Sequence, residues 1–443
     1  MMNSAVLALT QSSEKSPESN HKGVYRYWRI RIMYSMMVGY AAFYLVRQNF
    51  TMAIPSIQSE LGYSKTQIGA IITVAALVYG LGKGISGLLS DRSNARYFMA
   101  FGLLMSSVMN LFMGMSSSLT FLMILWTLNS GFQSMGWPPC ARLLTHWFSP
   151  REIATKWALW NTSQQIGGGL ILVLAPLLIE ACGWRSIFYV PGLMGLGLSL
   201  FLFNRLRDTP QSLGLPPIEQ HQGLTQSSDE EERHLTLKQI LFDKVIKNKL
   251  VWYVCFANFF LYIVRMAVFN WAPTFLREFK GSSLHVAGWQ AAAFDFAGMF
   301  GGIVAGYLSD RIFRGHRGQV GAIFMVLLCL CVILLWKSPL EWVWLHFVGM
   351  MAIGFLVSGP QILVGVAATD FASKKAAGAA SGLTGTFGYL GTAITGIGIG
   401  SIVDYYGWDY AFLLVAVSAL MSAFFFALTW NQRAKVLEEI HEE

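Results

Sequence analysis

The chain places a tyrosine, an arginine and a proline at one spacing, twice. Tyr44-Leu45-Val46-Arg47, with Pro55 eight residues on, returns as Tyr262-Ile263-Val264-Arg265 with Pro273, 265 − 47 = 218 positions later in a chain of 443. Both arginines lie in runs apolar enough to cross a bilayer, where a guanidinium costs about 2.5 kcal/mol or more and is kept with a partner or a water-filled cavity. Helical spacing sets Tyr40, Tyr44 and Arg47 on one face, and Asn258, Tyr262 and Arg265 on the matching face of the second copy. Such a face suits a phosphate, because a guanidinium is a rigid fork for two charge-assisted bonds and stays protonated when desolvated. The competing reading is packing against a carboxylate or snorkelling to the interface. Arg47 is roughly 12 Å of helix from Pro55 at the far end, which is deep for snorkelling. Two equivalent buried cations predict one anion held between two halves.

Other polar residues in apolar runs extend this pattern. Lys83, with Tyr79 one turn earlier, either adds a third positive charge to the cavity or takes its ammonium to the interface. Asp295 is the one carboxylate deep within a run. It either pairs with Arg265 or another cation while the cavity is empty, or acts as a gate that exchanges partners as substrate arrives. Asn161, Gln164 and Gln165 share a face with Gly168, and Gln361 follows Gly359-Pro360. These amides either contact the hydroxyls of a polyol or sugar, or bond neighbouring helices. Asp91-Arg92 and Asp310-Arg311 end their runs and are expected to latch helices rather than bind ligand. No phosphate-binding Gly-Lys-Ser/Thr loop, metal-spaced His/Cys set or nucleophile elbow is present, so neither catalysis nor a cofactor is expected.

The elements that must position these residues are membrane helices. Hydrophobic residues make up 54% of the chain and charged ones 13%, too apolar for a soluble protein of this length. The net charge of +8 reflects Lys and Arg gathered in loops on one side of a membrane, not a nucleic-acid surface. Five cysteines, nearly all in apolar runs, read as reduced packing residues. Runs of about 18 to 25 apolar residues predict twelve spans. They lie near 30–54, 66–90, 97–116, 118–141, 153–181, 185–205, 249–276, 286–309, 318–336, 341–367, 376–403 and 409–430. Gly167-Gly168-Gly169 and Gly382, Gly385, Gly388 and Gly391 are expected to let spans approach closely.

This gives an N-terminal tail (1–29), a six-span half (30–206), a linker (207–248), a second half (249–431) and a C-terminal tail (432–443). Within the linker, Thr236 and Gln239 form a capping box ahead of an amphipathic stretch expected to lie along the membrane surface. Basic residues at Arg26, Arg29, Arg31, Arg92, Arg96, Arg151, Lys156, Arg205, Arg207, Arg311, Arg314, Arg317, Lys374, Lys375, Arg433 and Lys435 fall on one side. Both termini are therefore expected in the cytoplasm. Further repeats are Gly87-Leu88-Leu89-Ser90-Asp91-Arg92 with Gly306-Tyr307-Leu308-Ser309-Asp310-Arg311 (310 − 91 = 219) and Gly136-Trp137-Pro138 with Gly359-Pro360 (359 − 136 = 223). Gly183-Trp184 pairs with Gly407-Trp408 (407 − 183 = 224). Parallel repeats of this kind predict an all-α membrane protein of twelve transmembrane helices in two pseudo-symmetric six-helix halves, the major facilitator fold.

Several stretches resemble the organophosphate:phosphate antiporters of that superfamily, a group of glycerol-3-phosphate and hexose-phosphate transporters with a related hexose-phosphate sensor. They are 39–47, Ser90-Asp91-Arg92-Ser93-Asn94-Ala95-Arg96, Met135-Gly136-Trp137-Pro138-Pro139-Cys140, 208–217 and Lys374-Lys375-Ala376-Ala377-Gly378. The resemblance implies that Arg47 and Arg265 are the paired phosphate-binding arginines and that Lys83 and Tyr44 line their cavity. Gln164 stands where glycerol-3-phosphate transporters carry a histidine, Ser358 for a tyrosine, Asp295 for a glutamate and Asn270 for an aspartate. Gln361 and the run 157–162 are more similar to the sensor branch. These departures leave the organic part of the substrate open.

The expected function is an inner-membrane antiporter, multi-pass and monomeric, exchanging hexose 6-phosphate or glycerol 3-phosphate for inorganic phosphate by rocking of the two halves. The alternative is a hexose-phosphate receptor signalling to a membrane kinase. A proton-coupled drug exporter would need membrane carboxylates that are nearly missing here.

Overall fold

The computed structural model describes residues 17–148, 152–218, 245–372 and 377–432. The capping box at Thr236 and Gln239 lies outside them, as do Lys374 and Lys375. The described chain is helical: α1 (Pro17–Leu61), α2 (Lys65–Arg92), α3 (Ala95–Met115), α4 (Leu119–Gln133), α5 (Trp137–Trp147), α6 (Ile153–Cys182), α7 (Ser186–Arg205), α8 (Lys249–Glu278), α9 (Leu284–Tyr307), α10 (Arg317–Lys337), α11 (Val343–Phe371), α12 (Ala377–Tyr406) and α13 (Trp408–Ala427). Helices α4 and α5 make up the fourth expected span, so twelve spans are present. Ten of the described helices are long and apolar enough on their own to cross a membrane.

Local chemistry sets the ends. Ser64 caps α2 through a full capping box with Gln67, and Asn94, Asn248 and Ser283 each accept a backbone N–H at the start of α3, α8 and α9. Gly183 and Gly407 hold φ of 77° and 86° in the equivalent turns after α6 and α12, a conformation that disfavours any side chain. Two boundaries differ from the sequence reading. The fourth span breaks after Gln133 because Pro138 and Pro139 cannot donate to an unbroken helix, and the chain restarts with both prolines in the first turn of α5. Helix α1 runs on past Pro55 to Leu61, so that proline lies inside the helix rather than at its end.

The pseudo-twofold is visible in the closest approaches. A Cβ on Gly167 would sit 2.3 Å from the carbonyl oxygen of Ala41, and one on Gly391 would sit 2.4 Å from that of Phe259. These pairs are equivalent, since 259 − 41 = 218 and 391 − 167 = 224. Between the halves, a Cβ on Gly69 would sit 2.3 Å from the Gly396 carbonyl oxygen, and one on its mate Gly288 would sit 2.5 Å from that of Leu172. Here 288 − 69 = 219 and 396 − 172 = 224.

These inter-half contacts close the face that carries the loops after α1, α6 and α8. Asp404 of α12 caps α2 from the other half, accepting from the Thr66 N–H at 2.6 Å, the Thr66 hydroxyl at 2.7 Å and the Lys65 N–H at 3.2 Å. The Thr73 hydroxyl donates to Ala393 at 2.7 Å, Lys65 pairs with Glu278 at 3.1 Å, and His285 meets Glu180 at 2.8 Å. Toward the opposite face, a Cβ on Gly84 or Gly87 of α2, or on Gly382 or Gly385 of α12, would meet nothing within 4 Å. Gly382 and Gly385 thus do not have the close-packing role expected of them in this state, whereas Gly388 and Gly391 do.

Candidate functional site

The face of α1 that carries Tyr40, Tyr44 and Arg47 points at the seam between the halves. The Arg47 guanidinium lies 4.3 Å from the ring centre of Tyr79 on α2 and 5.6 Å from that of Tyr44. It borders a cavity of about 50 Å³ with Tyr79, Asn270 of α8 and Tyr389 of α12. Residues of both halves therefore meet around one cation. Arg265 on α8 is buried, 8% exposed, and close enough to Asp295 for their charges to interact. No carboxylate among the described residues comes within ion-pairing distance of either guanidinium.

Aromatic rings enclose the rest. Tyr40 packs edge-on against Tyr44 and tilted against Trp160, with centroids 5.6 and 4.6 Å apart, and the Tyr389 ring lies 5.2 Å from that of Tyr79 and 6.0 Å from that of Tyr262. The Lys83 ammonium lies 4.8 Å from the Trp137 ring of one half and 5.5 Å from the Tyr389 ring of the other. Cation–π contacts of this sort hold a charge without neutralising it. Among the described residues around this cavity, Arg47, Arg265 and Lys83 are thus near one another, and Asp295 is the carboxylate beside them. Phenol hydroxyls around them can donate to an anion as well as accept, which a ring of carboxylates could not do.

Asp295 does not pair with Arg265 as expected. Its carboxylate accepts instead from Gln48 of α1 at 2.8 Å, a bond between the halves. Gly168 makes room for it: a Cβ there would lie 2.1 Å from Gln48 Oε1 and 3.0 Å from Asp295 Oδ2. Gln48 follows Arg47 directly, so the tie and the guanidinium share one helical turn. Of the other amides, Gln164 accepts from the Tyr44 hydroxyl at 3.0 Å. Asn161 and Gln361 are half-buried, and no hydrogen bond joins either to the arginines.

The latch at the end of α9 differs from the expected pair. Asp310 forms an ion pair with Arg317, which also reaches Asp370 at 3.3 Å and the Ser309 hydroxyl at 2.8 Å, while Arg311 is exposed. A π-helical turn over Leu308–Ile312 swings Arg311 outward. The Asp91 and Arg92 side chains lie outside those described. Spacing along the chain does not single out Tyr389 and Asn270, which border the cavity, or Gln48, which ties to Asp295. The available signal for Tyr389 was that it is the one tyrosine near the middle of its glycine-rich span.

Comparison with known proteins agrees with this architecture. The sequence profile described as Major Facilitator Superfamily matches residues 36–396 and 254–442. The chain is 44% identical to a "Probable hexose phosphate transport protein" of Chlamydia pneumoniae, covering 94% of each chain. It is 41% identical to the "Glycerol-3-phosphate transporter" of Bacillus subtilis strain 168, over 94% of this chain and 96% of that one. It is 39% identical to the "Membrane sensor protein UhpC" of Escherichia coli K12, over 90% and 91%. Among solved structures, an inward-facing, unoccupied bacterial homologue of the lysosomal transporter Spinster superposes with a TM-score of 0.71 at 15% identity, over 91% of this chain and 95% of that one. The chain belongs to the Major Facilitator Superfamily, within the group that holds hexose-phosphate and glycerol-3-phosphate transporters and the related sensor.

Proposed function

We propose that the protein exchanges an organic phosphate, a hexose 6-phosphate or glycerol 3-phosphate, for inorganic phosphate across a bacterial inner membrane. The observation that carries this reading is the pair Arg47 and Arg265, on equivalent turns of symmetry-related helices and with no carboxylate partner among the described residues. The names of the transporter relatives support the substrate class. Both chain ends are cytoplasmic in this reading, so the closed face is periplasmic and the site opens inward.

Exchange follows from electrostatics. With the cavity empty, Arg47, Arg265 and Lys83 repel one another in a medium of low dielectric, and bringing the halves together over them is costly. A doubly charged phosphate bridges the two guanidiniums and removes that cost. Only the loaded carrier changes sides quickly, because only the ligand's differential affinity for the occluded state can shift the equilibrium. Tyr40, Tyr44, Tyr262, Tyr389 and Gln164 then hold the hydroxyls and the remaining phosphate oxygens, and Lys83 supplies charge on the inward side.

The test is uptake of labelled glucose 6-phosphate and glycerol 3-phosphate by proteoliposomes preloaded with phosphate, against unloaded vesicles. Uptake that requires internal phosphate is the expected result. A second reading, a receptor that binds the same ligands and signals to a membrane kinase, is favoured by the likeness of Gln361 and residues 157–162 to the sensor branch and by the UhpC relative. Tight binding without uptake of either substrate establishes the receptor instead.

A further inference from the structure

The two arginines match in sequence, but the helices behind them are held differently. On its α3 and α4 side, the turn of α1 that carries Arg47 is gripped by side-chain amides. The Val46 carbonyl accepts from Asn110 of α3 at 2.9 Å and from Asn129 of α4 at 3.2 Å. The Phe43 carbonyl accepts from Gln133 at 3.0 Å, and Gln133 also donates to the Ser106 hydroxyl at 2.7 Å. Asn49 donates to Asn110 Oδ1 at 2.7 Å and to the Ile187 carbonyl at 2.9 Å. An unbroken helix directs the Phe50 N–H at Val46, yet that N–H meets Asn49 Oδ1 at 3.0 Å. The same turn of α1 is thus tied to α3, α4 and the start of α7 by side-chain amides. Asn49, Asn110 and Asn129 are fully buried.

The second half lacks this device. Leu261 and Val264 are the equivalents of Phe43 and Val46 (43 + 218 = 261 and 46 + 218 = 264), and no described side chain donates to their carbonyls. The position matching Asn129 is Ala352 (129 + 223 = 352), and the stretch matching Asn110 is Cys329-Leu330-Cys331-Val332-Ile333, apolar throughout. Among the described residues, the turn that carries Arg265 has no side-chain amide tied to its backbone carbonyls.

We infer that Asn110, Asn129 and Gln133 are positioning residues that make Arg47 the fixed jaw of the phosphate clamp, against which Arg265 moves. This rests on the clamp reading above. Fixing one jaw lowers the ordering cost of binding, so the device acts on phosphate affinity rather than on the rate of conversion.

The experiment measures binding of labelled inorganic phosphate and maximal exchange rate in full-length Asn129→Leu, Asn129→Asp and Cys329→Ala, with thermal unfolding alongside. Asn129→Leu removes the bond to the Val46 carbonyl together with those its Oδ1 accepts from Ser106 and Asn110, and is expected to weaken phosphate binding at least about tenfold, with the maximal rate changed less than about twofold. Cys329→Ala, in the stretch of the other half that matches Asn110, leaves affinity unchanged. Asn129→Asp donates to Val46 only while its carboxyl is protonated. Relative to wild type at each pH, its affinity should therefore recover as pH falls from about 8 to about 5.5. A merely structural role would show no such recovery, and this series carries the test if the leucine variant does not fold. Unchanged affinity in Asn129→Leu, a pH-independent defect in Asn129→Asp, or an equal loss in Cys329→Ala overturns the inference. Arg47→Lys separates it from the reading it rests on: if that variant binds phosphate normally the clamp itself falls, whereas loss there with normal binding in Asn129→Leu removes only the fixed jaw.

Discussion

Arg47 keeps its charge among tyrosine rings because rings stabilise a cation without competing for its N–H groups. Lysine in its place would keep the charge and lose the fork. Arg47→Lys should therefore cost two charge-assisted bonds' geometry, lowering exchange by about tenfold to a hundredfold, read as phosphate-dependent uptake. Asp295 invites a different pair. Asp295→Asn keeps an acceptor for Gln48 and should stay within about threefold of wild-type exchange, whereas Asp295→Ala leaves Gln48 with both polar atoms unpaired, since Oε1 already has no partner. That buried loss costs about 1–3 kcal/mol and should show as a lower unfolding temperature. The arginines were legible because each sits in a repeated frame. Gln48 and Tyr389 were not, because what they touch lies in the other half, and spacing along one helix carries no register between halves.

Among the helices, contacts through glycine decide which face is shut. A Cβ on Gly396 would lie 2.5 Å from the Gly69 carbonyl oxygen and 2.4 Å from the Thr73 hydroxyl, so Gly396→Val should hold the closed face apart. The expected result is at least about tenfold slower exchange, a 1.4 kcal/mol penalty or more on closure. Maleimide labelling of a cysteine at position 73 from outside should rise with it. Gly385→Val, open in this state, should instead lower that labelling, because it blocks the reciprocal closure that opening the labelled face requires. The glycine runs signalled close packing correctly at Gly167, Gly168, Gly169, Gly388 and Gly391 and wrongly at Gly382 and Gly385. Composition records that a helix can approach a neighbour in some state, not in which state it does. The break before α5 was written in Pro138 and Pro139, but apolar content alone carried the expected span through it.

The molecule as a whole is two matching bundles joined, on the closed face, by a small number of polar bonds laid over backbone contacts. Repeats in the sequence sufficed for the pseudo-twofold, because offsets of 218 to 224 persist from the first landmark to the last. Which face is closed could not be read, since a cycling carrier must stabilise both closures with one sequence. Asp404→Ala removes the cap that one half places on the other. Loss of a helix cap costs about 1 kcal/mol, so the variant should shift the equilibrium toward the opposite opening about fivefold, measured by labelling at position 73.

That cap has a second consequence. The amide protons of Lys65 and Thr66 are protected by a carboxylate that belongs to the other bundle, and they lose that protection each time the bundles part. Deuterium uptake at these two positions is thus a clock of the carrier's cycling that needs no label. It should quicken when exchangeable phosphate is added and slow when the bundles are held together.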